Sequence, residues 1–136
     1  MKLTLTFYIL SITTMISFIL SYFTGLTFDN YKEYIALVIV IFVDGFFGIL
    51  AGCLREGFKT YKAIKVIKTL VFWIILLTTL LAVEDSYEGV SWLSETILPP
   101  FLVFQVISIL KNATMSGFIS KKFLKGVMQH IDKHKE

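Results

Sequence analysis

The sequence is poor in the residues that cross-link, punctuate or charge a soluble domain. A single cysteine, Cys53, among 136 residues excludes an intramolecular disulfide and any cysteine-based zinc spacing, and it reads as a small packing residue beside Gly52. Charged residues make up only 17% of the chain against 56% hydrophobic, a balance foreign to ordinary soluble domains. The two prolines, Pro99 and Pro100, are adjacent, so everything before them is free of the strongest helix breaker. Absent too are a glycine-rich phosphate loop, HExxH, GxSxG and paired carboxylates inside the apolar runs. Catalysis, a cofactor and a bound metal are therefore not expected. His130 and His134 have a helical spacing, but without companion ligands they read as part of a solvated tail.

What is present is length without polarity. The run from Tyr34 to Leu54, YIALVIVIFVDGFFGILAGCL, is long enough to cross a bilayer, yet it carries Asp44 at its middle. That acid costs about 2.5–3.5 kcal/mol on an insertion scale, and each Leu, Ile, Val or Phe returns about 0.3–0.6 kcal/mol. The apolar residues win and the segment inserts. Steps of four place Asp44, Gly48 and Gly52 on one helical face, with Gly45 next to the acid. Gly45, Gly48 and Gly52 are thus the candidate helix-packing seam, where small residues let backbones approach.

Three further runs accompany it. Leu3 to Leu26 follows Lys2 but is too long for a signal-peptide core and offers no A-x-A-like cleavage site, so it is expected to be a retained span ending near Gly25. Its Thr and Ser residues can bond back to their own helix or across to another, the former being commoner. Thr69 to Val83 is clean over a stretch of only about 22 Å, short of a hydrocarbon core of about 30 Å, and spans only if Lys65 and Lys68 snorkel. Ile97 to Leu110 is clean as well, with Pro99 and Pro100 expected in the first helical turn. It either crosses or dips in and returns as a re-entrant segment.

The connections carry the charge. Thr27 to Glu33 is a short link of charge −1, and the link from Arg55 through Lys59, Lys62, Lys65 and Lys68 is +4 despite Glu56. Glu84, Asp85, Glu88 and Glu95 make the next −4, and the tail from Lys111 onward returns to +4. The basic link reads equally as a surface-lying helix or as a helix extension with snorkelling lysines. In the tail, Ile119, Phe123, Val127 and Ile131 form an apolar stripe from which Lys121, Lys122 and Lys125 turn away, as in an amphipathic helix lying on a membrane or a partner. Arg55, Lys59, Lys62, Lys65, Lys68, Lys121, Lys122 and Lys125 are candidate membrane-surface cations facing anionic lipid; nucleic acid is not an expected partner.

The expected fold is an all-α integral membrane protein in one domain: a bundle of four transmembrane helices at about residues 3–26, 34–54, 64–83 and 97–113, the fourth spanning or re-entrant. A cytoplasmic amphipathic helix follows at about 118–132. Because Lys and Arg set orientation, both termini are expected in the cytoplasm of a bacterial inner membrane and the acidic loop outside. Asp44, Gln105 and Asn112 are the candidate pore-lining or polar intramembrane residues. Asp44 is either a pore or proton-sensitive group or a polar tie to Gln105 or Asn112.

The order of these features resembles the phage-lysis and toxin-secretion holin family over almost the whole chain. The carrying residues are Gly25 and Asp29; Asp44 with Gly48 four residues on; Gly57, Lys62 and Lys65; then Ser108-Ile109, Asn112 and Gly117 before the basic tail. The family's Asp-x-x-Thr-Gly pattern stands here as Asp44-Gly45-Phe46-Phe47-Gly48, without the Thr. Gln105 replaces an acid, and Lys111-Asn112 a Glu-Asn pair. The resemblance implies a homo-oligomer that permeabilises the inner membrane and releases an endolysin or toxin. A pore-forming effector triggered by a partner protein and a non-conducting scaffold are the rival readings.

Overall fold

The computed structural model describes residues 1–134; Lys135 and Glu136, counted above in the tail's charge, lie outside them. Five α-helices follow one another: α1 Lys2–Asp29, α2 Tyr31–Glu56, α3 Thr60–Ser86, α4 Leu93–Met115 and α5 Lys121–Lys133. A single 3-10 turn, Glu88–Val90, sits between α3 and α4. Four of the helices are long and apolar enough to cross a membrane, and no strand occurs among the described residues.

Helices α2, α3 and α4 form the packed core. Tyr34 and Thr78 share a 2.7 Å hydrogen bond and Gly45 faces Val66, so α3 runs antiparallel to α2. Helix α4 returns parallel to α2, with Leu98 beside Leu37 in one buried cluster and Asn112 beside Asp44. Leu77, fully buried, lies at the centre of that cluster with Ile41 and Leu81. Trp73 of α3 stacks on Phe101 of α4 at 3.4 Å. Up-down-up connectivity thus gathers the basic connections at one end of the bundle and the acidic ones at the other.

Helix α1, expected as one member of a four-helix bundle, joins this core only through its last turns. Met1 to Gly25 are exposed, while Leu26 is buried in the cluster and Tyr22 Oη donates to Asp85 Oδ2 at 3.0 Å. The cause lies at Asn30. In place of the link expected from Thr27 to Glu33, one residue joins α1 to α2, whereas a helical hairpin needs about 2–5 residues to reverse. Asn30 N–H donates to Leu26 O and Asn30 O accepts from Tyr34 N–H, so hydrogen bonding continues through a bend. Gly25, expected to stop the helix, has no neighbour that would oppose a side chain and stays helical. The hydroxyls of Thr6, Thr13, Thr14, Thr24 and Thr27 each bond to the carbonyl four residues back, the commoner of the two uses expected of them.

Two further boundaries move. Helix α3 has 27 residues, about 40 Å, because the lysines of the basic link form its first turns instead of a separate surface helix. Helix α4 begins at Leu93, so Pro99 and Pro100 fall inside it and not in its first turn. The earlier start is held by Glu84, whose carboxylate accepts from Ser94 N–H and Ser94 Oγ. That is a charge-assisted cap for the orphan donors of a helix start. Helix α4 runs unbroken to Met115 without turning back. It ends in a Schellman arrangement, with Phe118 N–H to Ala113 O, Gly117 N–H to Thr114 O, and Gly117 at φ 81°. Ser120 caps α5 by accepting from Phe123 N–H.

Candidate functional site

A cavity of about 350 Å³ opens between α2, α3 and α4 towards the basic end of the bundle. Helix α2 supplies Asp44, Gly45 and Gly48 from the face that steps of four define, and α4 supplies Gln105 and Asn112 from one stripe seven residues apart. Asn112 Nδ2 donates to Asp44 Oδ1 at 3.4 Å and reaches Ser108 Oγ at 3.5 Å. Of the two ties considered for Asp44, the structure makes the one to Asn112, while Gln105 lines the same space. All three residues singled out as polar within the apolar helices therefore meet at one place.

The glycines make the approach possible. A Cβ at Gly45 would stand 2.5 and 2.6 Å from the two methyl carbons of Val66, while one at Gly48 would meet Asn112 Nδ2 at an ordinary 3.5 Å. A Cβ at Gly52 would collide with the ammonium of Lys62, which lies across α2 there. The seam thus packs α2 against α3 and α4 of the same protomer.

The basic link divides. Arg55, Lys62 and Lys65 line the cavity together with Tyr61 and Thr69. Lys62, Lys65 and Thr69 follow the i, i+3, i+7 spacing of one helix face, a signal legible in the sequence once α3 is known to start at Thr60. Tyr61 and Thr69 were not singled out as site residues, and Ser108 only as part of the Ser108-Ile109 pair in the family resemblance, because a lone hydroxyl on an apolar helix is common. Lys59 instead pairs with Glu56 at 2.7 Å. That hydrogen bond, then the carboxylate's charge, raises the Lys59 pKa. Lys68 is exposed on α3, and Lys121, Lys122 and Lys125 are exposed on α5. The stripe of α5 that turns inward is Leu124, Val127, Met128 and Ile131, half-buried, whereas Phe123 is exposed. Phe118 meets Phe47 edge-on at 5.5 Å and so fixes the start of the tail against α2.

A sequence profile of the bacteriophage holin family matches residues 19–133, which takes in all three packed helices, the cavity and the whole of α5. The chain belongs to the bacteriophage holin family. The resemblance read from the order of its motifs is borne out, and the parts of this holin outside the match are residues 1–18, which take in about three-fifths of α1, and 134–136. No curated protein and no solved structure matches it.

Proposed function

We infer that this holin accumulates in the bacterial inner membrane, associates with copies of itself and opens a lesion through which an endolysin or toxin leaves the cytoplasm. The observation that carries the reading is the convergence of Asp44, Gln105 and Asn112 on a single cavity between helices long and apolar enough to cross a membrane. Polar side chains inside apolar helices are costly, and their collection in one place supplies walls for water. Opening exchanges the contacts of the Gly45, Gly48 and Gly52 face within one protomer for contacts between protomers, which brings the polar stripes of α2 and α4 to line the hole.

Orientation follows from charge. The basic ends of α2 and α3, and the tail with Lys121, Lys122 and Lys125, face the anionic cytoplasmic leaflet, and the acidic end faces outward. Helix α1, apolar and uncovered by protein, is a lipid-facing span, and cytoplasmic placement of both termini requires the end of α1 to unwind around Asn30 into a link long enough to reverse the chain. No catalysis and no nucleic acid enter this scheme.

The test is membrane potential, followed with a dye in bacteria induced to express the chain alone while its membrane accumulation is measured. The expected result is abrupt depolarisation after a delay. An unchanged potential beside abundant inserted protein would overturn permeabilisation and leave a scaffold.

A further inference from the structure

We propose that the basic mouth of the interhelical cavity is a specific site for the phosphate headgroup of an anionic phospholipid, held by Arg55, Lys62 and Lys65. Three cations from two helices line one cavity of about 350 Å³, within the usual range of about 300–1,000 Å³ for small-molecule sites. None of the three has a carboxylate within ion-pair distance among the described residues; Glu56, near enough to feel the charges of Lys62 and Arg55, is bonded by Lys59. Lys62 is only half-exposed, and its ammonium is turned inward over Gly52 instead of outward to water. A lysine that merely snorkels would extend away from the helix pair.

The chemistry that answers such a site is a phosphate. The Arg55 guanidinium offers two parallel donors to its oxygens and the lysines add point charges. Asp44 shares the cavity but sits three helical turns from Arg55 along α2, with Asn112 donating to it. Positive charge therefore gathers at the mouth and the acid lies deeper. Ile41, Ile49 and Val66 add apolar surface among the polar groups of the lining, which the glycerol and first methylenes of a lipid would cover and a free ion would not. Arg55 stands one residue from the end of α2, the depth at which a headgroup sits, and basic pockets between transmembrane helices are recognised lipid sites. The bound lipid ties the end of α2 to the start of α3 across the Gly57 turn.

The inference rests on the membrane orientation proposed above but not on hole formation, and its test measures binding alone. Full-length protein in a neutral detergent is titrated with dioctanoyl phosphatidylglycerol, with dioctanoyl phosphatidylcholine and inorganic phosphate as separate arms, and the thermal midpoint is followed. Phosphatidylglycerol is expected to raise the midpoint saturably. Lys62→Gln and Arg55→Gln are each expected to weaken the apparent affinity about tenfold, the loss of one charge-assisted contact. Lys62→Arg should retain most of it. Lys122→Gln, which removes the same charge from the tail, should leave it unchanged. Equal weakening by Lys122→Gln and Lys62→Gln would reduce the effect to diffuse surface charge and overturn the site. Saturable binding of inorganic phosphate as tight as that of the lipid would overturn the lipid as its ligand, and so would an equal response to phosphatidylcholine.

Discussion

Replacing Gly45 by Ala tests the seam at its tightest point. The added Cβ would lie 2.5 and 2.6 Å from the two Val66 methyl carbons and 3.1 Å from Val66 Cβ, whereas carbons in contact rest at about 3.5–4.0 Å. Val66 is β-branched, so its preferred rotamer on a helix cannot swing both methyls aside. Helix α3 must instead retreat from α2 by about 1 Å, and overpacking of that kind costs about 1–3 kcal/mol. Against it stands the helix-propensity gain of Gly→Ala, about 0.5–1 kcal/mol. Gly48→Ala supplies the internal control. It has the same gain, in the same helix, but its Cβ meets Asn112 Nδ2 at an ordinary 3.5 Å. Propensity cancels between the two variants, leaving Gly45→Ala the less stable by about 1–3 kcal/mol. Reversible unfolding in mixed micelles, titrated with a denaturing detergent, measures the difference. Equal stabilities, or a Gly45→Ala protein more stable than Gly48→Ala, would refute the packing of α2 on α3 described here.

Asp44→Asn and Asn112→Ala are expected to change the delay before depolarisation in the dye assay while both proteins still accumulate in the membrane. Parent-like timing in both would remove the polar cavity from the opening step. Gly117→Ala forces a side chain into the left-handed conformation, at φ 81°, and should cost about 1 kcal/mol or more in the same unfolding titration; no loss would mean that the turn into α5 is not as described. Leu77→Ala empties the most enclosed position of the core and should cost about 2–5 kcal/mol, against almost nothing for Leu10→Ala on exposed α1. Thiol labelling of single cysteines placed at positions 2 and 122, in a Cys53→Ala background, should find both termini on the cytoplasmic side. Labelling of position 2 from outside would show that α1 does not turn back beside α2.

How far the sequence could be read depended on whether a feature was local. The apolar lengths of α1 and α2, the acid in the middle of α2 and the stop at Gly117 are properties of consecutive residues, and each is visible without a fold. Ends set by distant partners were not. Helix α4 starts at Leu93 because Glu84, ten residues back, accepts from Ser94, and nothing within the α4 sequence announces that cap. Clean hydropathy made the third run look too short, yet α3 absorbs the lysines before it, since aliphatic stems continue a helix as readily as they end one. Gly25 was misread for the opposite reason: a glycine permits a helix stop but does not impose one.

By itself the sequence determined the class, four apolar helices long enough for a membrane, and the holin family, because hydropathy and motif order add up residue by residue along the chain. Only the tertiary structure decided that Asp44 pairs with Asn112, 68 residues away, that Lys62 turns in over Gly52, and that α1 stands apart from the packed helices. Each of these depends on which helix faces meet across space, and the difference in free energy between one pairing of apolar faces and another is small beside the terms that drive any of them into a helix.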